Sequence, residues 1–322
     1  MTIHYDIINS FIHPSSIKKA LLSYKKGAIS FNKLKEAQDN AIRNFIIKEK
    51  EYELPFLYDG QYRREHGPLD FIIPLVNVSF NEEGLFLKGP ISYKSHPFIE
   101  EFKFIHTFED QKSKARLSIP SPATFIHIFD QNESILKYYE NLEDFYKDVI
   151  SIYDEFLKEL YNAGGRYVLL EEEAFTDLEK TVLMNNEMIE HNEDFIFSTH
   201  LHKDVDYELY NKMASYLFVH EHVKAYFLEC DHKSSYPLDF LKNLPQDKDV
   251  ILRLLVANTP FMEKEEDILD RIIEASQYVS LHHLALSIQG DFESSNVSLS
   301  EFQQWDKIQM LKDLSDNIWT KK

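Results

Sequence analysis

The chain has 322 residues, 43% of them hydrophobic, which is enough for one large core. Its 35 Lys and Arg stand against 54 Asp and Glu, a net charge of −19, so the surface repels phosphate backbones and anionic lipid; nucleic-acid and membrane partners are not expected. The single cysteine, Cys230, excludes an intramolecular disulfide, and no apolar run reaches the roughly 18 residues of a spanning helix. The start, Met1-Thr2-Ile3-His4-Tyr5-Asp6, lacks a basic patch followed by an apolar stretch, so a cytoplasmic location is expected.

Short β-rich runs alternate with longer amphipathic stretches. Strands are expected near 4–10 and 56–61. Residues 72–113 then break the alternation. Val76-Asn77-Val78-Ser79-Phe80, Asn81-Glu82-Glu83-Gly84 and Leu85-Phe86-Leu87 read as a hairpin around a Gly-containing turn. This is an insertion between the second and third strands, of the kind that covers a catalytic face. The third strand is expected near 114–120. Leu142, Phe145, Val149, Tyr153, Phe156 and Leu160 repeat at steps of three and four, one face of a helix. Gly164-Gly165 stops that helix before a strand at 166–172. Further strands are expected at 195–201, 225–229, 249–256 and 283–289, with a helical stripe at Ile268, Ile272, Ala275 and Val279. No repeat, low-complexity tract or linker divides the chain, so residues 1–322 are expected to form a single domain. Eight β-then-α units predict an α/β fold, a (β/α)8 TIM barrel. A doubly wound open sheet is the alternative, but no Gly-rich dinucleotide fingerprint follows the first strand.

In such a barrel, chemistry sits at the carboxyl ends of the strands. The residues expected there are Asn9-Ser10, Asp59-Gly60-Gln61-Tyr62-Arg63-Arg64, Ser118-Ile119-Pro120-Ser121-Pro122, Glu171-Glu172-Glu173, His200-Leu201-His202, Glu229-Cys230-Asp231 and Gln289-Gly290-Asp291. His200 and His202, one residue apart on a strand tip, point to the same side, and Glu229 ends the next strand. Two imidazoles and a carboxylate are a recurring catalytic zinc set. The alternative is a barrel mouth where the same groups only exchange hydrogen bonds. Strand alternation turns Glu171 and Glu173 to one side, and Glu171 is the candidate. Arg63-Arg64 could meet an anionic substrate tail or pair with Glu65 or Asp70.

Several motifs follow one another in order. They are Ile8-Asn9-Ser10-Phe11-Ile12-His13-Pro14, Asp59-Gly60-Gln61-Tyr62-Arg63-Arg64 with Leu69-Asp70-Phe71, Ile119-Pro120-Ser121-Pro122, and Arg166-Tyr167. The end of the chain adds Leu284-Ala285-Leu286-Ser287, Gln289, Phe292, Ser294-Ser295 and Gln304-Trp305, leading into a final helix with Trp319. In this order the chain resembles single-domain relatives of cobalamin-independent methionine synthase, equivalent to that enzyme's C-terminal catalytic barrel. The resemblance covers nearly the whole length.

The resemblance implies transfer of a methyl group from a methylated folate to the thiol of homocysteine. It also implies a zinc ion, held by His, Cys, Glu and a second Cys, that activates the thiol as a thiolate. Carried over, the first His is His200 and the Glu is Glu229. His202 stands at the first Cys position and Gly290, which cannot ligate, at the second. Cys230 should face the opposite side from Glu229. The expected zinc set is therefore His200, His202 and Glu229, with water or Asp291 as a fourth ligand. Without thiolates such an ion is a stronger Lewis acid. The resemblance further assigns Ser10, Gln61 and Glu171 to substrate binding, where the family has Ser, Glu and Asp. Glu171 and Asp291 are the candidate catalytic residues. The expected partners are a homocysteine-like thiol and a methyl-folate-like donor, and a homodimer is left open. Two alternatives stand beside this: a degenerate barrel that binds an amino-acid or folate-like ligand without methyl transfer, and a zinc hydrolase with Asp231 or Asp291 as base.

Overall fold

A computed structural model describes residues 3–8, 10–82, 84–129, 134–173, 177–202, 206–230, 237–293 and 299–320. Asn9, Asp231 and Ser294-Ser295 lie outside the described residues. The chain opens with α1 (Ser15–Lys25), α2 (Phe31–Glu51), β1 (Phe56–Leu57) and α3 (Leu69–Ile72). The insertion carries β2 (Val76–Asn81), β3 (Gly84–Ser92) and α4 (Pro97–His106). Then come β4 (Lys114–Pro120), α5 (Pro122–Phe129), α6 (Leu142–Asn162), β5 (Tyr167–Glu172), α7 (Leu178–His191), β6 (Ile196–Leu201) and α8 (Tyr207–His220). The chain ends with β7 (Ala225–Glu229), β8 (Asp249–Val256), α9 (Glu265–Ser276), β9 (Leu284–Gln289) and α10 (Glu301–Trp319).

Seven strands form one curled parallel sheet in the order β1-β4-β5-β6-β7-β8-β9, the arrangement of a TIM-barrel-like fold. Parallel strands covered on both faces must be apolar on both, and β4, β5, β7 and β8 are buried along most of their length. The helices between them start at polar caps. Asn141 accepts from Asp144 N, Asp177 from Lys180 N and Asp206 from Leu209 N, so each satisfies an amide that the first turn leaves free. On α6 the expected stripe Phe145, Val149, Tyr153, Phe156 and Leu160 is fully buried, while Leu142 lies at the exposed start. Each such apolar side chain contributes about 1.5–3 kcal/mol. Gly164, at φ 101, turns the chain out of α6 in a conformation that disfavours side chains.

Two expected strands are shorter than their sequence patterns. The first stave is a single parallel bridge, Tyr5 to Leu286, with Asp6 N donating to Leu286 O at 3.0 Å and Leu286 N to His4 O at 2.9 Å. The second stops at Leu57 because the Glu49 carboxylate takes the Tyr58 amide at 3.2 Å, and Gly60 and Gln61 follow at φ 66 and 59. Side chains tie these two staves to the rest. Asp6 pairs with Arg116 Nη1 at 2.7 Å, and Arg116 Nε donates to Tyr58 OH.

The hairpin β2–β3 is present, with Asn81 paired to Gly84. It packs outside the sheet, where Ile91 N donates to Tyr139 OH at 2.7 Å and Tyr93 OH to Glu159. Its tip reaches the loop after β1 through Phe80 and His66, rings 5.2 Å apart. That loop borders the mouth of the barrel; the hairpin strands do not.

Inside the ring, Ile8, Leu169, Phe227, Ile251 and Ala285 form their own apolar cluster, separate from the larger core between sheet and helices. This plug sits one alternation below the strand ends and is the floor of the site.

Candidate functional site at the carboxyl ends of the strands

Side chains two residues apart on a strand share a face, so each residue of the plug predicts its neighbour above. Leu169 leads to Glu171, Phe227 to Glu229, Ile251 to Arg253 and Ala285 to Ser287; His200 follows Ser198 in the same way. The ladders fix their heights: Glu171 pairs in register with His200, Glu229 with Arg253, and Arg253 with Ser287. The result is a cleft of about 340 Å³ bordered by Gln61, Arg64, Glu171, His202, Arg253 and Asp291.

Glu171 is the hub. Its Oε2 meets His200 Nδ1 at 2.6 Å and His202 Nε2 at 3.1 Å, and its Oε1 accepts from Ser118 Oγ at 2.6 Å. The two imidazole centroids are 4.1 Å apart. Burial alone would raise the Glu171 carboxyl, but the two histidines, His200 first, hold it well below the usual carboxylate range. Burial would likewise lower His202; the hydrogen bond and charge of Glu171, with Glu229 and Glu173 behind, outweigh it and bring His202 up to about 9. Burial works to raise Glu229 as well, yet His200, Arg253 and His202 take it down to about 2.

The far side of His200 faces a cation. Arg253 Nη1 lies against His200 Nε2 and donates to Glu229 Oε1 at 2.9 Å, while Nε donates to Ile288 O at 2.8 Å. Glu229 Oε1 is 3.3 Å from His200 Nε2. One guanidinium nitrogen thus lies between the imidazole and the Glu229 carboxylate. Arg253 is 2% exposed. It is not among the residues expected at the rim, because it sits inside the apolar run Val250-Ile251-Leu252-Arg253-Leu254-Leu255-Val256. Its signal is alternation: a charge two places after Ile251, on the inward face.

The other expected residues fall as follows. Ser10 N donates to Asp291 Oδ1 at 2.9 Å, so this carboxylate occupies the backbone amide of a residue that the resemblance assigns to substrate binding. Gln61 borders the cleft, and its own amide is taken by Asp59 Oδ1 at 2.9 Å. Glu173 borders the cleft, with its carboxylate 3.9 Å from His202. Arg63 pairs with Asp39, away from the cleft. Arg64 stacks 4.0 Å over the Phe98 ring and donates to Ser118 O at 3.0 Å, and its Nε has no hydrogen-bond partner among the described residues. Neither arginine pairs with Glu65, which meets Lys25, or with Asp70, which accepts the amides of Glu65 and His66.

The donor set does not fit a zinc ion at the position that the resemblance assigns. Cys230 faces the helices, its Sγ donating to Leu228 O at 3.5 Å. Gly290, at the second thiolate position, sits at φ 71 in the left-handed region and has no side chain to ligate. His200 and Glu229 both face Arg253. Among the described residues the group with metal-ligand types is instead Glu171, His200 and His202, whose donor atoms lie within 4.8 Å of one another. There the donor atoms are already hydrogen-bonded to each other.

No protein-family model matches the chain. The uncharacterized protein YxjH of Bacillus subtilis is 24% identical, with 98% of this chain and 94% of the relative covered. A methionine synthase of Pyrococcus horikoshii is 26% identical over 85% of this chain and 81% of its own length. A solved structure from Listeria monocytogenes, assigned as a vitamin-B12-independent methionine synthase, superposes with a TM-score of 0.81 at 27% identity, covering 98% of both chains. In sequence and in fold, the chain is similar over nearly its whole length to the cobalamin-independent methionine synthases.

Proposed function

We propose that the chain is a methionine-synthase-like methyltransferase that moves a methyl group from a methyl-folate-type donor to a small amino-acid thiol such as homocysteine. The observation that supports this reading is the meeting of Glu171, His200, His202 and Glu229 on one cleft above the apolar plug, in a fold that superposes on the Listeria structure end to end. Cations beside a sulfur favour the thiolate. His202, raised to about 9, is an imidazolium at neutral pH, so its part is that of a fixed charge and not of a base. The thiolate attacks the donor's methyl carbon. The sulfur–carbon bond forms as the carbon–nitrogen bond breaks, and the donor nitrogen keeps the electron pair and takes a proton. Asp291 already fills the Ser10 amide, so the substrate carboxylate falls to Arg64 and the ammonium group to Glu173.

Incubation of purified protein with homocysteine and methyl-tetrahydrofolate, as the monoglutamate and the polyglutamate, is expected to yield methionine by mass spectrometry. Arg64→Ala is expected to raise KM about tenfold, with a smaller change in kcat. No methionine above the boiled control with either donor removes this reading. A second reading, a barrel that binds the ligand without transfer, draws on Arg253 and Asp291 filling positions that the family leaves to metal and substrate. Thermal stabilisation by homocysteine or methionine in a protein that forms no product supports it.

A further inference from the structure

We propose that Arg253 takes the place of a divalent ion in this cleft: its guanidinium, held between His200 and Glu229, is the resident cation, and the site works without zinc. This takes the cleft above as the functional site, but it is read through metal binding and not through turnover, so the two can fail separately.

Three observations carry it. The atoms that would face an ion, His200 Nε2 and Glu229 Oε1, both face Nη1 of Arg253. A guanidinium is charged at every accessible pH, so it cannot yield its place by losing a proton, as a lysine could. It also cannot swing aside cheaply. Nε is fixed to Ile288 O at 2.8 Å, and the side chain is among the largest fully buried ones in the molecule, so any move strands a charge in the core. A divalent ion would have to bind next to this charge with no thiolate to offset the repulsion. Glu229 then has a different task from that of a ligand: it neutralises Arg253 and fixes its aim at His200. His200 in turn holds Glu171, which orders His202. One buried cation thereby sets the orientation of the whole row.

The test is metal binding by the full chain, prepared without chelator, dialysed against micromolar zinc chloride and measured by elemental analysis and calorimetry. Zinc that His200→Ala still binds is subtracted, because surface histidines also take up the ion. The wild-type protein is expected to hold no His200-dependent zinc. Arg253→Ala is expected to gain one ion per chain, lost again in Arg253→Ala/Glu229→Gln. Arg253→Gln keeps most of the stem while removing the charge, and should also gain the ion if the alanine variant fails to fold. One His200-dependent zinc per wild-type chain overturns the proposal. So does a folded Arg253→Ala or Arg253→Gln protein, judged by its circular dichroism, that gains none.

Discussion

A histidine that is charged at neutral pH is a store of stability with a readable pH window. Glu171 and the acids behind it bring His202 from the ordinary 6.5 to about 9. The folded state therefore binds this proton more tightly than the unfolded chain. The stabilisation is complete below pH ~6.5 and is lost as the pH rises through about 9. The size is up to about 3 kcal/mol, less for the solvent that reaches His202. Glu229 acts in the opposite direction. Its carboxyl is lowered to about 2, so its contribution is present above the ordinary carboxylate range and is lost as the pH falls toward 2. In urea titrations, His202→Gln is expected to flatten the fall in stability between pH 6.5 and 9 and to weaken, without abolishing, the acid limb, which His200 and Arg253 still hold. An unchanged alkaline limb would mean that Glu171 does not hold the proton there. This row was partly legible in the sequence. Alternation gave the common face of His200 and His202 and the choice of Glu171. It did not give the partner choice. Glu171, and not Glu229, gathers both imidazoles, because β5 and β6 set Glu171 directly beside His200 in register. Arg253 has no signature at a strand end, because it lies inside the apolar run 250–256.

Behind the sheet, a second set of polar groups joins elements instead of binding anything. Asn185 on α7 donates to Glu172 Oε2 and to Glu221 Oε1, both at 2.9 Å, and accepts from Ala123 N on α5 at 3.2 Å. Ser121 Oγ adds 2.7 Å to Glu172, and Thr199 on β6 adds 3.1 Å to Glu221. Asn185 thus joins α7 to α5, to β5 and to Glu221 at the end of α8, and Thr199 ties β6 to the same carboxylate. Burial, with Glu172 adding to it, raises Glu221 to about 7, so two acids share the space without two full charges. Replacing the amide by an apolar group of equal size leaves both carboxyls short of a donor. Asn185→Leu is expected to cost about 2–4 kcal/mol by chemical denaturation, with the slope against denaturant unchanged. A loss below ~1 kcal/mol would show that the bridge carries little of the packing between α7 and its neighbours. At this scale the pattern of apolar residues read well. β7 and β8 fall on their expected residues, β5 begins one residue late, and α6 carries the expected stripe. Glu172 was legible only as the member of Glu171-Glu172-Glu173 that faces away from the mouth; its partners come from distant segments and leave no local signature.

For the whole molecule, the critical place is the seam where the first and second staves meet. A parallel barrel is stable because each strand shares a ladder with two neighbours. Here the first stave contributes one bridge to β9, and among the described residues no ladder joins it to β1. The extended pattern of residues 4–10 predicted a full strand. Two local competitors shorten the pairing: Asp6 bonds the amide of Ile7 at 2.8 Å, and Glu49 removes the Tyr58 amide from the neighbouring strand. Beside the hydrogen bond from Phe11 N to Gly60 O at 3.3 Å, a buried charge pair ties the seam. Arg116 on β4 reaches across to Asp6, lies 4.1 Å over the Phe56 ring and donates to Tyr58 OH. Burial raises the Asp6 carboxyl, and Arg116 opposes the rise. Arg116→Met keeps the stem but leaves Asp6 as an unpaired buried acid, with an expected loss of about 3–5 kcal/mol. Asp6→Asn in the same chain should return a good part of that loss, since it removes the stranded charge. The amides of Asp6 and Leu286 should also exchange faster in Arg116→Met than those of β6 and β7, because opening then begins at the seam. If exchange rises evenly across all the staves, the ring is held by its ladders and the apolar plug alone, and the Asp6–Arg116 pair only fills space within it.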